Sequence, residues 1–334
     1  MTRVLLTGGS GFIATHIIKL LLERGHSVVT SVRNQAKADA IKQSYPDIGA
    51  DRLSFAIVPD VAKSDAFTDA VKSDPPFEAV IHTTSPFHFN VTDIKADLLD
   101  PAINGTTGFL QAIKQNAPSV KRVVITSSFG SIMDVSKGLW PGHTYNESDW
   151  NLITMEQALQ SPGAGYSGML NPTEFLANES PAFSISTILP PLVFGPAVQN
   201  LASLGALNTS NQFIRSFILG AAKKEIPPTQ NPIFADVRDV AFAHVAAMEK
   251  AEAGNKRFFI TNGYCSNHEI INIIRKHFPE YKSVLPSRCT KGGELPKEVY
   301  QMDTTRSVEI LGMKYAGFES CIVDTIRSFS SVRQ

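Results

Sequence analysis

The stretch Arg3-Val4-Leu5-Leu6-Thr7-Gly8-Gly9-Ser10-Gly11-Phe12-Ile13-Ala14 decides the fold. Val4 to Thr7 is a short apolar run that reads as a strand and passes directly into glycines. Gly8 and Gly11 permit a tight turn and let backbone N–H groups approach a pyrophosphate at the start of the next helix. Phe12 and Ile13 open that helix, and the small Ala14 lets helix and strand pack closely. A glycine trio alone is a weak signal. Its position between a strand and a helix makes it a dinucleotide-binding turn.

Working outward, apolar runs rich in β-branched residues recur at Ser27 to Val32, Leu53 to Val58, Ala79 to His82, Arg122 to Thr126 and Ser184 to Leu189. Their hydrophobicity is continuous rather than alternating, as expected of strands covered on both faces. Helical segments fit between them, such as His16 to Arg24, closed by Gly25 in a left-handed cap position. The pattern predicts an α/β fold built on a doubly wound parallel sheet of the Rossmann type. The expected core covers 1–195 and also receives about 233–262. Beyond Gly195 the pattern loosens, with a helix expected over Asn211 to Lys223, a strand over Arg257 to Thr261 and a helix over Ser266 to His277. Residues 196–232 and 263–334 read as a smaller C-terminal substrate-binding lobe over the carboxyl edge of the sheet.

Composition removes other classes. With 334 residues and 43% apolar content the chain can bury a full core, and 22 Gly and 20 Pro are ordinary globular usage. Lys plus Arg and Asp plus Glu each total 31, so no net field draws the chain to nucleic acid or an anionic bilayer. Cys265, Cys289 and Cys321 have no CxxC spacing, which argues against a disulfide scaffold and a metal site and fits a reducing compartment. No run long enough to span a membrane and no secretion signal is visible, so a cytoplasmic location is expected.

The end of the second strand selects the cofactor. A carboxylate there would hydrogen-bond an adenosine ribose and repel a 2′-phosphate. The sequence has Arg33, with Lys37 one turn on, and no carboxylate between Glu23 and Asp39. Arg33 offers a planar fork suited to phosphate. NADP(H) is therefore the expected cofactor, although the same two cations could simply solvate a helix start.

Further motifs extend the reading: Val58-Pro59-Asp60-Val61, His82-Thr83-Thr84-Ser85-Pro86-Phe87, Asn104-Gly105-Thr106, Val124-Ile125-Thr126-Ser127-Ser128, Val193-Phe194-Gly195-Pro196 and Asp236-Val237-Arg238-Asp239-Val240-Ala241. With these the chain resembles the extended short-chain dehydrogenase/reductase family, of the NAD-dependent epimerase/dehydratase superfamily, in its dihydroflavonol-reductase-like subgroup of ketone and aldehyde reductases. The likeness covers nearly the whole sequence. It implies that Asp60 and Val61 meet the adenine, that Thr83 and Ser85 line the nicotinamide-ribose path, and that Pro190 to Val193 sits near the nicotinamide. Phe87 and Phe89 would face substrate, and Asp236 to Asp239 would be structural. Carbonyl reduction needs a donor that polarises the carbonyl and an acid that protonates the alkoxide. The resemblance assigns these roles to Ser128 and Tyr166.

The sequence departs from the family at one catalytic position. A lysine is expected four residues after the tyrosine, where its ammonium would lower the phenol pKa and hold the nicotinamide ribose. Leu170 stands there, and no lysine occurs between Lys137 and Lys223. Pro172 should also end the Tyr166 helix near Leu170 and start another. About seven residues of the family pattern are missing between Tyr166 and Phe183. The gap reads as a mistranslated exon boundary, a natural variant with altered catalysis, or a cofactor-binding protein that no longer turns over.

The expected function is NADPH-dependent reduction of an aldehyde or ketone, such as a polyketide-derived or other secondary-metabolite intermediate. The alternative is a non-catalytic NADP(H)-binding sensor or inactive variant. A sugar-nucleotide epimerase or dehydratase is disfavoured because no basic cluster for a second diphosphate is evident in the C-terminal lobe. The partner is a small-molecule carbonyl compound, with no nucleic acid or membrane, and the chain is a monomer or homodimer.

Overall fold

The computed structural model describes residues 1–84, 93, 100–160, 173–199, 201 and 203–330. The chain opens with β1 (Arg3–Thr7), α1 (Phe12–Glu23), β2 (Ser27–Val32), α2 (Gln35–Gln43), β3 (Leu53–Ile57), β4 (Ala79–His82), α3 (Asp100–Asn116) and β5 (Arg122–Thr126). Then come β6 (Thr144–Tyr145), α4 (Met155–Gln160), α5 (Thr173–Glu179), β7 (Ser184–Leu189), β8 (Leu192–Phe194), α6 (Thr209–Ile218) and β9 (Ile233–Asp236). The remainder is α7 (Val237–Glu249), β10 (Arg257–Phe259), β11 (Gly263–Tyr264), α8 (Asn267–His277), β12 (Gln301–Met302) and α9 (Phe318–Phe329).

Seven strands form one parallel sheet in the order β10-β7-β5-β4-β1-β2-β3. The direction of winding reverses between β1 and β4, and ligands of such sheets bind outside the carboxyl ends at that reversal. Leu5 faces one side of the sheet with Val80, Val123 and Phe109. Val4 and Leu6 face the other, against Ile17 and Leu21 of α1 and Val240 and Ala243 of α7. Burial on both faces explains the unbroken apolar runs. Each fully buried Leu, Ile or Val contributes about 1.5–3 kcal/mol.

A separate apolar cluster joins Ile214 and Phe217 of α6, Ile270 and Ile274 of α8, and Ile322 and Ile326 of α9. It lies beside a small sheet in the order β11-β9-β8. Several expected bounds change. The helix expected over Asn211 to Lys223 ends at Ile218, because Gly220 takes φ +93° and turns the chain away. The strand expected over Arg257 to Thr261 stops at Phe259, and that expected over Leu53 to Val58 stops at Ile57. The helix that opens after Pro172 is short, as the sequence implied: α5 has 7 residues, about 10 Å of rise. Gly25 takes the left-handed cap conformation with φ +82°.

Two histidines are locked neutral in this frame. The His82 Nδ1 lies 2.9 Å from the Thr7 hydroxyl, and burial lowers its pKa to about 3. The His244 Nδ1 lies 2.7 Å from the Val240 carbonyl and its Nε2 2.7 Å from the Thr126 hydroxyl. Burial lowers its pKa to about 4, against the bond to Val240. In the unfolded chain both groups gain protons near pH 6.5, whereas the folded chain resists, so their contribution is lost as pH falls below 6.5. Between pH 7 and pH 5 each histidine should cost about 2 kcal/mol of unfolding free energy. Urea titrations at the two pH values should show that loss shrinking by about 2 kcal/mol in His244→Gln; an unchanged loss would show that His244 does not set the slope.

Candidate active site

The glycine turn is built for close approach. Gly8 takes φ +75°, and a Cβ there would lie 2.7 Å from the Thr84 hydroxyl. The Gly11 amide donates to the Gly8 carbonyl at 2.8 Å, and the Gly8 amide donates to the Ser31 hydroxyl at 3.1 Å. α1 begins after Gly11 with no side-chain cap and no acidic residue in its first turn. Its opening amides are thus left to an incoming anion, favoured by the helix dipole. Phe12 is buried and sits edge-on to His16, so its part in the turn is its backbone. Ile13 is half-buried and packs on the core below.

β4 supplies the opposite wall. β1 and β4 pair with Thr7 beside His82. The Thr7 hydroxyl accepts from the amides of Thr83 at 3.1 Å and Thr84 at 3.3 Å. It then donates its own proton to His82 Nδ1, which requires the neutral imidazole that burial enforces. The Thr83 hydroxyl donates to the Thr7 carbonyl at 2.7 Å. The Thr84 hydroxyl is buried beside Gly8 without a hydrogen-bond partner among the described residues. A glycine cradle that a methyl group would fill and an orphaned hydroxyl next to it fit a bound dinucleotide. The sequence motifs that contain Thr7 and His82 signal no role for either residue, because their contact exists only once β1 and β4 are neighbours.

The other expected cofactor residues lie along the same edge. Arg33 and Lys37 are exposed after β2 and form no ion pair with another described residue. Between them Asn34 caps α2, accepting from the Lys37 amide at 3.1 Å. Asp60 is exposed after β3 and accepts from the Ala62 amide at 3.0 Å, and Val61 is half-buried beside it.

β5 carries Ser128 to the edge beside β4. Its side chain accepts from the Gly130 amide at 3.1 Å, and the hydroxyl proton has no acceptor among the described residues. Ser128 is half-buried, whereas Ser127 is buried. The next residue, Phe129, donates its amide to the Pro190 carbonyl at 2.9 Å and so ties the Ser128 turn to the segment that leads to the buried Val193. The structure thus brings Gly8, Gly11, Thr83, Ser128 and Pro190 to one end of the sheet, with Arg33, Asp60 and Val61 in the segments that follow β2 and β3 and Lys37 in the first turn of α2. Ser85, Phe87, Phe89, Tyr166, Leu170 and Pro172 lie outside the described residues.

Other expectations can be placed too. Cys265 and Cys321 are buried free thiols, and Cys289 is an exposed one. Asp236 is fully buried, caps α7 through the Arg238 amide and pairs with the Arg238 guanidinium at 2.7 Å. Among the described residues no group of three His, Cys, Asp or Glu side chains could hold a metal, and no helix is long and apolar enough to cross a membrane.

The sequence profile of the 3-beta hydroxysteroid dehydrogenase/isomerase family matches residues 5–279. The chain belongs to this family. Within it, the chain is 41% identical over 334 residues to ketoreductase azaE of Aspergillus niger, covering 98% of this chain and 97% of that one. It is 33% identical to the NADPH-dependent methylglyoxal reductase GRE2 of Saccharomyces cerevisiae, covering 96% of each. The crystal structure of yeast methylglyoxal/isovaleraldehyde reductase Gre2 complexed with NADPH superposes with a TM-score of 0.87 at 32% identity, over 98% of both chains. Vestitone reductase from alfalfa, at 22% identity and TM-score 0.74 over 99% of both chains, shares the fold.

The cradle reading separates two glycines. Gly8→Ala should cost about 1–3 kcal/mol of unfolding free energy and weaken dinucleotide binding, since it adds a clash to the left-handed strain. Gly25→Ala has the strain alone, with nothing within 4 Å of the new methyl group. It should cost less and leave binding unchanged. Equal losses of stability with intact binding in both would remove the cradle from the account.

Proposed function

We propose that this protein reduces a ketone or aldehyde to the alcohol with NADPH, acting on a small carbonyl compound of the polyketide-derived or secondary-metabolite kind. The carrying observation is the adjacency of β1, β4 and β5, which sets the glycine turn, Thr83 and Ser128 side by side at one sheet edge. The names of the relatives, a ketoreductase and an NADPH-dependent methylglyoxal reductase, support the same chemistry.

In this reading the turn from Gly8 to Ile13 holds the pyrophosphate, Arg33 and Lys37 hold the 2′-phosphate, and Asp60 and Val61 border the adenine. Thr83, Ser85, Pro190 and Val193 border the nicotinamide riboside. When bound, NADPH supplies the hydride that adds to the carbonyl carbon. Ser128 donates its free hydroxyl proton as a hydrogen bond to the carbonyl oxygen, where negative charge develops. Tyr166 transfers its phenolic proton to that oxygen, so the alcohol forms with one hydride and one proton. With Leu170 in place of a lysine, the ammonium that would lower the phenol pKa is missing from that position. The tyrosine starts as the neutral acid that reduction requires, but cofactor placement loses a donor. The residues 196–232 and 263–334 form the substrate-binding lobe. The protein works in the cytoplasm as a monomer or homodimer without nucleic-acid or membrane partners, in keeping with its balanced 31 basic and 31 acidic residues.

NADPH consumption against a panel of aldehydes and ketones tests the reading. Slow turnover is expected, with Ser128→Ala reducing kcat and Tyr166→Phe removing it. Insertion of a lysine-bearing helical turn after Gly168 should raise the rate. NADPH binding without consumption across the panel, in both the natural chain and the insertion variant, would replace the enzyme with a cofactor-binding sensor.

A further inference from the structure

Far along the chain from the glycine turn, the fold assembles a cationic depression that the sequence does not display. His268, Asn272, Arg275 and Lys276 fall at i, i+4, i+7 and i+8 on α8 and so share one face of it. Arg288, from the loop that follows, completes a solvent-open depression lined by these five side chains. No basic cluster is legible in this part of the sequence because its members sit on a helical stripe and a separate loop.

The polar atoms around the depression are predominantly donors. Arg275 is held in place, donating to the Asn272 side-chain oxygen at 2.7 Å and to the Pro286 carbonyl at 2.9 Å. Because the Asn272 oxygen is taken, its amide nitrogen remains as a donor. His268 turns Nδ1 to the Gly292 carbonyl at 3.3 Å and lies 3.8 Å from the Glu294 carboxylate. Lys276 is paired with Glu319 at 2.6 Å, and His277 shares that carboxylate. Neither Arg275 nor Arg288 has a carboxylate partner among the described residues. Burial first, and then the charge of Arg288, hold Arg275 below the usual guanidinium range.

We infer that this depression is a binding site for a phosphate group, with Arg275 as the oriented fork and Arg288 as the closing charge. The phosphate belongs to a small free phosphate ester rather than to the NADPH at the glycine turn. The two sites are separate, since the members of this one line α8 and the 288 loop, and none lies on β1, β2 or α1.

The test uses the whole protein saturated with NADP⁺, so that the glycine turn is already filled. Calorimetric titration with pyrophosphate at constant ionic strength should give one saturable event. Arg288→Gln should weaken it about tenfold, because one charge-assisted contact is lost, while melting temperature and NADPH turnover stay unchanged. Arg288 is exposed and holds no other group, so this variant does not threaten the fold. In parallel, co-sedimentation with phosphatidylcholine vesicles, with and without phosphatidic acid, separates a free ester from a lipid headgroup. Capture by phosphatidic acid that depends on Arg288, without pyrophosphate binding, would overturn the free-ester assignment and place the phosphate on a lipid. No saturable binding to either probe, or binding indifferent to Arg288→Gln, would overturn the site.

Discussion

The hydroxyl of Thr7 holds the crevice together. It bridges the two strands at which the sheet changes winding direction, donating to His82 and accepting from the amides of Thr83 and Thr84. Three bonds on one buried oxygen fix the spacing between the glycine turn after β1 and the threonine turn after β4. The arrangement works only with a neutral imidazole, because a protonated His82 would present Thr7 with a third donor and no acceptor. Burial of His82 is therefore part of the site, although the residue is far too enclosed to touch a ligand.

From that anchor the remaining parts follow by topology. β4 is hydrogen-bonded to β5, and β5 delivers Ser128 beside the threonine turn. Phe129 then ties the Ser128 turn to Pro190, so the segment entering the small sheet is set by the same edge. His16 on α1 reaches the Pro196 carbonyl at 2.9 Å, and Asn211 on α6 reaches the Gly195 carbonyl at 2.8 Å. The exit from the core is thus held from α1 and from the helix of the smaller apolar cluster. A parallel sheet with its loops at one edge concentrates chemistry in this way without any residue lying near another in sequence.

Much of this was legible beforehand. The unbroken apolar runs gave the strands because a parallel sheet buries both faces, and the strand-glycine-helix order located the turn between β1 and α1. The absence of a carboxylate near Arg33 was equally readable, being a matter of local sequence. What escaped notice depends on partners distant in the chain: the Thr7–His82 contact needs β1 and β4 in register, and the cationic depression needs α8 beside residue 288. The end of α6 was misjudged for a local reason, since Leu219 continues the apolar pattern and only the left-handed Gly220 stops it. The lysine deficit at Leu170 was visible only against the family, because nothing in a lone leucine signals a missing charge.

The central claim is that the edge between β1 and β4 holds NADPH and distinguishes it from NADH through the cations after β2. Cofactor fluorescence titration of the natural chain and of Arg33→Ala tests it directly. The account predicts that NADPH binds at least about tenfold more tightly than NADH, and that Arg33→Ala removes most of the difference while leaving NADH affinity unchanged. Equal affinity for the two cofactors in the natural chain, or a preference for NADPH that survives loss of Arg33, would contradict it.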